Sequence, residues 1–388
     1  MSAVRKPRHQ GADPRTQADR RPFRASAERL FELVRHLTER DREVALCLYR
    51  HRILTTSQLQ LLFFSSRRRA QDRLLFLYRN RIVDRFYPAA PFGSGKPEAH
   101  WLLDEAGALL VAATLGLERK QLGWQRRDDW GSHPQLAHQL ETNRFLTELV
   151  AATLTTSDLG VRAWWSPAEA AGRLSLDGKL RVLPDTGFTL VTSAGVIECY
   201  LEWDRSTETQ ARLAEKLLVY RRAEARLHGE AGERALLIVL PGERRLGTLR
   251  RAHTELAGSE RLARSTFPAT GFRWPLLATT VPRLRAEGAL AAVWERLDLD
   301  SGRQALPALP IRDGEPVVLA ETLGRCWHKE SPDFWRRLSP LGNHGQGAAG
   351  PPEPLVVPPP HERDGDLRLS GIDGSMDDPD ESLEERWP

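Results

Sequence analysis

The stretch of sequence that decides the fold runs from Leu180 to Tyr220 and reads LRVLPDTGFTLVTSAGVIECYLEWDRSTETQARLAEKLLVY. Its pattern predicts strands joined by a turn, followed by a helix. From Ile197 to Asp204 apolar and polar side chains alternate, which is typical of a strand with one face in a core. The other face, predicted to be polar, carries Glu198, Tyr200, Glu202 and Asp204. The helix is predicted to begin at a capping box, in which Thr207 precedes Gln210 by three positions.

Three carboxylates at the ends of these strands, Asp185, Glu202 and Asp204, are candidates for catalysis together with Lys216 on the following helix. Magnesium binds oxygen ligands from one or two carboxylates, and a nearby ammonium group stabilises charge on a phosphate. The pattern therefore predicts a metal-dependent phosphodiesterase site, with Asp185 and Glu202 as the metal ligands. The alternative is a solvated polar sheet face on which Asp185 caps a turn.

The order of these acidic residues resembles the restriction-endonuclease-like nuclease core, whose motif is Pro-Asp, a gap, and then acid-x-Lys. Here Pro184-Asp185 is followed by Glu202, and Asp204 stands where that motif has lysine. Lys216 and Tyr220, four positions apart, resemble the Q-x-x-x-Y helix of the RecB-like branch. The resemblance implies an α/β nuclease fold, and Mg²⁺ as the cofactor if the chain is catalytic.

Charge is distributed unevenly along the 388 residues, although the formal net charge is only +4. Residues 1–100 contain 21 Lys and Arg against 10 Asp and Glu, whereas residues 341–388 contain 3 against 11. The basic part is therefore the candidate for binding a polyanion. Three cysteines at unrelated spacings predict no disulfide framework and no zinc site. Without an apolar run long enough to span a membrane, we expect a cytoplasmic protein.

The region from Leu37 to Leu103 predicts a winged helix-turn-helix. Three short helical patterns follow one another, with caps at Thr38, at the Thr55-Thr56 pair and at Ser65 or Ser66. Two predicted strands come next, joined by a loop rich in Gly and Pro. Helix, helix, helix, strand, loop, strand is the order of elements in that DNA-binding fold.

The third of these helices carries the strongest functional signal. Arginines at the start of a recognition helix can contact base edges and phosphates in the major groove. The alternative is a winged domain that contacts another protein. The predicted residues for binding double-stranded DNA are Arg67, Arg68, Arg69, Gln71 and Arg73 on this helix, and Lys96 near the tip of the wing.

The complete chain is predicted to have a mixed fold, α+β or α/β, with disordered tails. A helix over 133–154 and strands over 161–165 and 235–240 complete the nuclease-like core, followed by a helix over 244–256, a strand over 274–279 and a helix over 289–297. The predicted divisions are 1–26, a disordered basic arm; 27–117, the winged helix-turn-helix domain; 118–132, a linker; 133–300, the nuclease-like α/β domain; 301–341, a C-terminal extension; and 342–388, a disordered Pro-rich acidic tail.

Several of these motifs together resemble the replication-relaxation family of plasmids and integrative elements. They are the winged segment, His138-x-Leu140-x-x-Asn143, the Pro184-Asp185 strand, and the run from Leu201 to Glu208 followed by Lys216 and Tyr220. The resemblance implies DNA binding connected with replication or relaxation of mobile-element DNA. It leaves open whether the chain is a DNA nicking enzyme or a transcriptional or copy-number regulator. The candidate protein partners are a relaxase, a replication initiator and a second copy of the chain.

Overall fold

The computed structural model describes residues 32–88, 97–124, 133–174, 182–206, 209–227, 233–258, 274–297, 299, 302–309 and 322–323. The predicted basic arm, the predicted acidic tail, Lys96 and Thr207 lie outside these residues. Helices and strands are both abundant within them, which confirms the predicted mixed fold class. None of the described helices is long and apolar enough to cross a membrane.

Within the described residues, the first part of the chain combines helices with a small three-stranded antiparallel sheet, in which the third strand along the chain lies between the other two. Its elements are α1 (Glu39–His51), β1 (Leu54–Thr55), α2 (Thr56–Phe63), α3 (Arg67–Arg79), β2 (Val83–Phe86), β3 (His100–Leu103) and α4 (Glu105–Leu115).

Each of the first three helices begins where its capping residue predicts. Thr38 and Asp41 form a capping box at the start of α1, and Thr55 forms one with Gln58 at the start of α2. The Ser66 side chain accepts a hydrogen bond from the Arg69 amide at the start of α3. These contacts satisfy amide groups that have no partner within the helix, so the sequence alone locates the helix starts.

The second part is built on a seven-stranded sheet with the order β10-β9-β8-β7-β6-β5-β4. Strands β6, β7 and β8 are parallel, and the other pairs are antiparallel. Its elements are α5 (Leu136–Leu154), β4 (Leu159–Trp165), α6 (Pro167–Leu174), β5 (Thr186–Thr192), β6 (Gly195–Trp203), α7 (Gln210–Arg226), β7 (Glu233–Leu240), α8 (Glu243–Gly258), β8 (Leu276–Thr280), α9 (Val281–Glu287), β9 (Trp294–Arg296), β10 (Arg303–Gln304) and a 3₁₀ turn (Leu306–Ala308).

Both faces of β6 are covered, so the prediction of one polar face is wrong. Tyr200 and Glu202 are buried, and Tyr200 belongs to a second apolar cluster with Leu217 and Tyr220 of α7 and Leu249 of α8. A strand that is central in a mixed sheet receives helices on both sides. Glu202 and Asp204, two of the three carboxylates of this face, are therefore buried beneath a helical layer instead of lying in water.

Two local predictions also need correction. Helix α7 begins at Gln210 with Thr209 as its N-cap, because the Thr209 side chain accepts a hydrogen bond from the Arg212 amide; the cap is therefore not Thr207. The predicted helix over 289–297 is wrong: turns and bends lead into strand β9 (Trp294–Arg296), whose Glu295 pairs with Ala278 of β8. Pairing with an exposed sheet edge outweighs a helical pattern in so short a segment.

One continuous apolar cluster connects the small sheet and its helices with one face of the large sheet. It contains Leu46 and Leu74 from the first part and Phe145, Phe188 and Trp294 from the second. His51 at the end of α1 stacks on Trp164 of β4, with ring centroids 3.6 Å apart. The two parts of the chain are thus packed together, and apolar burial contributes to holding them.

Candidate functional site

The start of α3 presents its basic side chains to solvent. Ala70, Leu74 and Leu77 are buried on the opposite side of this helix. The Arg67 side chain is 58% exposed and the Arg68 side chain 92%, and both lie 3.8 Å from a carboxylate. Arg69 and Gln71 are exposed as well. Four of the predicted DNA-contacting residues therefore form one accessible surface, called here the arginine face: Arg67, Arg68, Arg69 and Gln71.

Arg73 has a different environment from the arginine face. Its Nε donates a hydrogen bond to Asp41 Oδ1 at 2.8 Å, its Nη2 donates to the same carboxylate and to the His36 carbonyl, and its guanidinium lies 4.3 Å from the centre of the Phe76 ring. Asp41 is fully buried. The Arg73 side chain thus joins α3 to α1, and DNA would have to compete with an internal ion pair to bind it.

The predicted catalytic residue Asp185 lies immediately before β5, where two donors meet its carboxylate. His138 of α5 lies with its Nε2 2.8 Å from Oδ1, and the backbone amide of Trp203 donates to Oδ2 at 2.8 Å. The Trp203 indole nitrogen in turn donates to Glu141 at 2.9 Å. Helix α5 is therefore joined to the ends of two strands through polar contacts.

Glu202 lies near the end of β6 and is bound by two residues of α7. Lys216 Nζ lies 2.7 Å from Oε2, and the Tyr220 hydroxyl donates to Oε1 at 2.5 Å. Lys216 and Tyr220 reach the same carboxylate because residues four apart share one face of a helix. The structure thus brings together Glu202 with the lysine and tyrosine of the predicted motif, and the charges of Lys216 and Asp185 both act on it.

Asp204, two residues further on, is paired with a residue that sequence reasoning missed. Its Oδ2 accepts from Arg245 Nε in the first turn of α8, and its Oδ1 accepts from the Ser206 amide at 2.7 Å. The topology of the sheet brings these two residues together. Strands β6 and β7 are parallel, so the segments that follow them emerge at the same edge of the sheet.

A magnesium ion does not fit this arrangement of side chains. Each of the six carboxylate oxygens of Asp185, Glu202 and Asp204 already has a donor from the protein. The neighbouring cavity, which Lys216, Glu202 and Asp204 line but Asp185 does not, has room for about one water molecule. Within the described ranges, no group of three or more His, Cys, Asp and Glu side chains could hold a metal ion. The arrangement can instead neutralise buried charge with the protein's own cations.

Burial and pairing shift the pKa values in this cluster in opposite directions. Burial alone would lower the pKa of His138, but its hydrogen bond to Asp185 and the negative charges nearby raise it overall. Burial would raise the pKa of Asp185, but the contacts with His138 and the charge of Lys216 lower it. For Glu202 burial is the larger effect, and its pKa is raised in spite of Lys216. Near neutral pH the cluster therefore holds an ionised Asp185 beside a histidine that protonates readily.

We expect replacement of His138 by glutamine to destabilise the protein more at low pH than at high pH. A raised pKa in the folded state means that protonated His138 contributes stability below its usual pKa of 6.5, and this contribution is lost as pH rises through the folded-state pKa. The measurement is the difference in melting temperature between the parent and His138→Gln, at about pH 5.5 and about pH 8.5. The exposed His36→Gln variant serves as control. An equal difference at both pH values would contradict the proposed pairing.

Comparison with known families agrees with the resemblance predicted from the sequence. Residues 46–236 match the family described as Replication-relaxation, which confirms that prediction. The match begins within α1 and ends within β7. It includes the arginine face and the three carboxylates Asp185, Glu202 and Asp204. It indicates a function related to replication or relaxation in mobile elements. No curated protein and no solved structure matches the chain.

Proposed function

On the basis of this family match, we propose that the chain is a winged-helix protein that binds double-stranded DNA of a plasmid or integrative element during replication or relaxation. The observation that carries the proposal is the arginine face. Three consecutive arginines, Arg67 to Arg69, are exposed at the start of a helix whose other side is fixed in the core. Their exposed guanidinium groups, which contact only side chains at the surface, can approach a phosphate backbone or a guanine edge.

The position of the arginines at the helix start also supports a polyanion as the partner. The N-terminal end of a helix carries partial positive charge, so cations there repel it by a few tenths of a kcal/mol to about 1 kcal/mol each. The first turn of α3 contains no acidic residue, and the nearest carboxylates to Arg67 and Arg68 are those of Glu98 and Asp72 at 3.8 Å. A DNA phosphate placed at this end interacts favourably with both the guanidiniums and the helix terminus.

The arrangement around α3 is consistent with a winged reader. Strands β2 and β3 pair from Val83 with Leu103 to Phe86 with His100, and the Trp101 indole donates to Thr56 of α2 at 2.9 Å. The hairpin is thus tied to the helix that precedes α3. In winged domains this hairpin lies beside the recognition helix and adds contacts to the DNA backbone.

The experiment that tests the proposal is a titration of a fluorescently labelled DNA duplex of mixed sequence with the full-length protein at several salt concentrations. Binding through phosphates releases counterions, so the logarithm of the affinity falls by about 0.9 per neutralised phosphate for each tenfold increase in salt. Affinity that does not change with salt, or absence of binding at low salt, would remove the basis for a DNA-binding function.

A metal-dependent nicking activity is the second candidate, because Lys216 is paired with Glu202 and the charge of Asp185 also acts on Glu202. We expect neither magnesium binding by calorimetry nor magnesium-dependent nicking of supercoiled plasmid, since the carboxylate oxygens are already hydrogen-bonded within the protein. Asp185→Ala is compared with Glu198→Ala as its control. Glu198 lies on the same face of β6 as Glu202 but outside the cluster, where it is paired with Arg173. Nicking that is abolished by Asp185→Ala and retained in Glu198→Ala would establish the enzyme.

A further inference from the structure

We infer that Asn143, outside the proposed DNA reader, is a positioning residue that sets the reader's geometry by holding a strained turn at Arg52. The inference rests on the proposed DNA-binding function and adds a determinant of affinity that makes no contact with the arginine face. Three observations carry it: the backbone conformation of Arg52, the hydrogen bonds of Asn143, and the position of the turn between two helices of the reader.

The turn at Arg52 is unfavourable for the residue that occupies it. Arg52 has φ +67° and ψ −57°, and the Ile53 amide donates to the His51 carbonyl at 2.7 Å. This is a γ-turn of the positive-φ form, which is rare and strained for residues with a side chain. Glycine adopts positive φ without steric conflict, yet the position holds arginine. Contacts from elsewhere must therefore stabilise the turn.

Asn143 of α5 supplies those contacts. Its Nδ2 donates to the His51 carbonyl at 3.0 Å and to the Ile53 carbonyl at 2.6 Å, one on each side of Arg52. The Asn143 side chain is buried, and its Oδ1 accepts from Gln139 Nε2 at 3.0 Å, so its amide group has a defined orientation. One amide thus joins the two peptide carbonyls that flank the turn, and truncating it would leave both without this donor.

The turn is placed where a small change in the backbone would move the arginine face. Helix α1 ends at His51, β1 begins at Leu54, and Thr55 is the N-cap of α2. Helix α2 packs against α3 and against α5. If Arg52 relaxed to negative φ, the direction of the chain entering α2 would change, and α3 would move with it. The distance between the arginine face and the β2–β3 hairpin would then no longer suit one DNA duplex.

Helix α5 also connects this turn with the carboxylate cluster. His138 and Glu141, on the same helix as Asn143, contact Asp185 and Trp203 at the strand ends. The turn is therefore held by an element anchored in the large sheet. This explains how a residue of the second part of the chain can determine the affinity of the first part for DNA.

The test compares full-length parent, Asn143→Ala, Arg52→Gly and the double variant, using the labelled mixed-sequence duplex at one salt concentration. We expect Asn143→Ala to weaken binding about fivefold to tenfold, because losing the hydrogen bonds that hold the turn lowers the fraction of molecules in the binding-competent form, and apparent affinity falls with that fraction. Arg52→Gly alone is expected to bind like the parent. In the double variant glycine accepts the turn without strain, so affinity should return to within about twofold of the parent.

A control separates positioning from loss of stability. Thr147→Val removes another buried polar side chain of α5. The Thr147 hydroxyl donates only to carbonyls of this same helix. This substitution should lower the melting temperature without changing DNA affinity. Equal affinity of Asn143→Ala and the parent, or no recovery in the double variant, would overturn the inference while leaving the proposed function in place. A parent protein that binds no DNA would overturn both.

Discussion

Replacing Arg67, Arg68 and Arg69 together by alanine is expected to weaken DNA binding about 100-fold to 500-fold at 0.1 M salt, because three phosphate contacts each contribute about 0.9 to the logarithmic salt slope. The slope should fall in magnitude by about 2.7 for the same reason. The side chains are exposed and the helix is held by Leu74 and Leu77, so the triple variant should remain folded. The measurement is the salt titration of the labelled duplex, with circular dichroism as the check on folding.

The matched control is a second triple variant with the same change in net charge. Arg222, Arg226 and Arg251 are exposed on α7 and α8, away from the arginine face in sequence and element. Alanine at these three positions should weaken DNA binding only as much as the loss of three positive charges anywhere on the protein would. If both triple variants lose the same affinity, net charge and not the arginine face determines binding.

Replacing Arg245 by methionine is expected to reduce the free energy of unfolding by about 3 kcal/mol, because it leaves a buried carboxylate without its cation. The Asp204 side chain is 4% exposed and that of Arg245 11%, so water can replace little of the lost interaction. Methionine keeps much of the length and apolar contact of the arginine stem. This loss of stability should be measured by chemical denaturation. The slope of the unfolding free energy against denaturant concentration should stay the same as in the parent.

Two further variants test whether the unpaired charge is the cause. Asp204→Asn combined with Arg245→Met removes both charges and should recover most of the lost stability. Arg250→Met disrupts a pair with Glu295 in which the arginine is 50% exposed, and should cost at most about 1 kcal/mol. Failure of the double variant to recover would show that packing, and not charge pairing, makes Arg245 important.

These ion pairs explain how the carboxylates at the strand ends are stabilised inside the protein. Lys216 and Arg245 supply positive charge to Glu202 and Asp204. Asp185 obtains its donor from His138. In this arrangement the cluster fixes the relative positions of α5, α7, α8 and the strand ends. Such a role agrees with the proposed DNA-binding function, in which the second part of the chain holds the reader.

Local sequence was sufficient for much of the first part of the chain. Thr38, Thr55 and Ser66 mark helix starts because a capping side chain bonds to an amide only two or three residues away. The spacing of apolar residues placed Leu74 and Leu77 in the core and Arg67 to Arg69 of α3 on the surface. Contacts of this kind involve neighbours in the chain, so they can be predicted before the fold is known.

The carboxylates show where local pattern fails. The alternation from Ile197 to Asp204 correctly predicted a strand, but it could not show that α7 and α8 would bury Glu202 on the face predicted to be polar. In the same way, strand β9 was predicted as part of a helix. Its pairing with Ala278 of β8 depends on a distant segment, which the local sequence does not indicate. Burial depends on which elements cover a face, and that is a property of the whole sheet.

The sequence by itself determined the mixed fold, the family resemblance and the basic surface of α3, since each depends on residue type and short spacing. Only the tertiary structure decided that Arg73 bonds to Asp41, that Arg245 pairs with Asp204, and that Asn143 holds the turn at Arg52. The partners in these pairs are separated by 32, 41 and about 90 residues in the chain. Such contacts form only when folding brings distant segments together, because no pattern of neighbouring residues selects one partner among many.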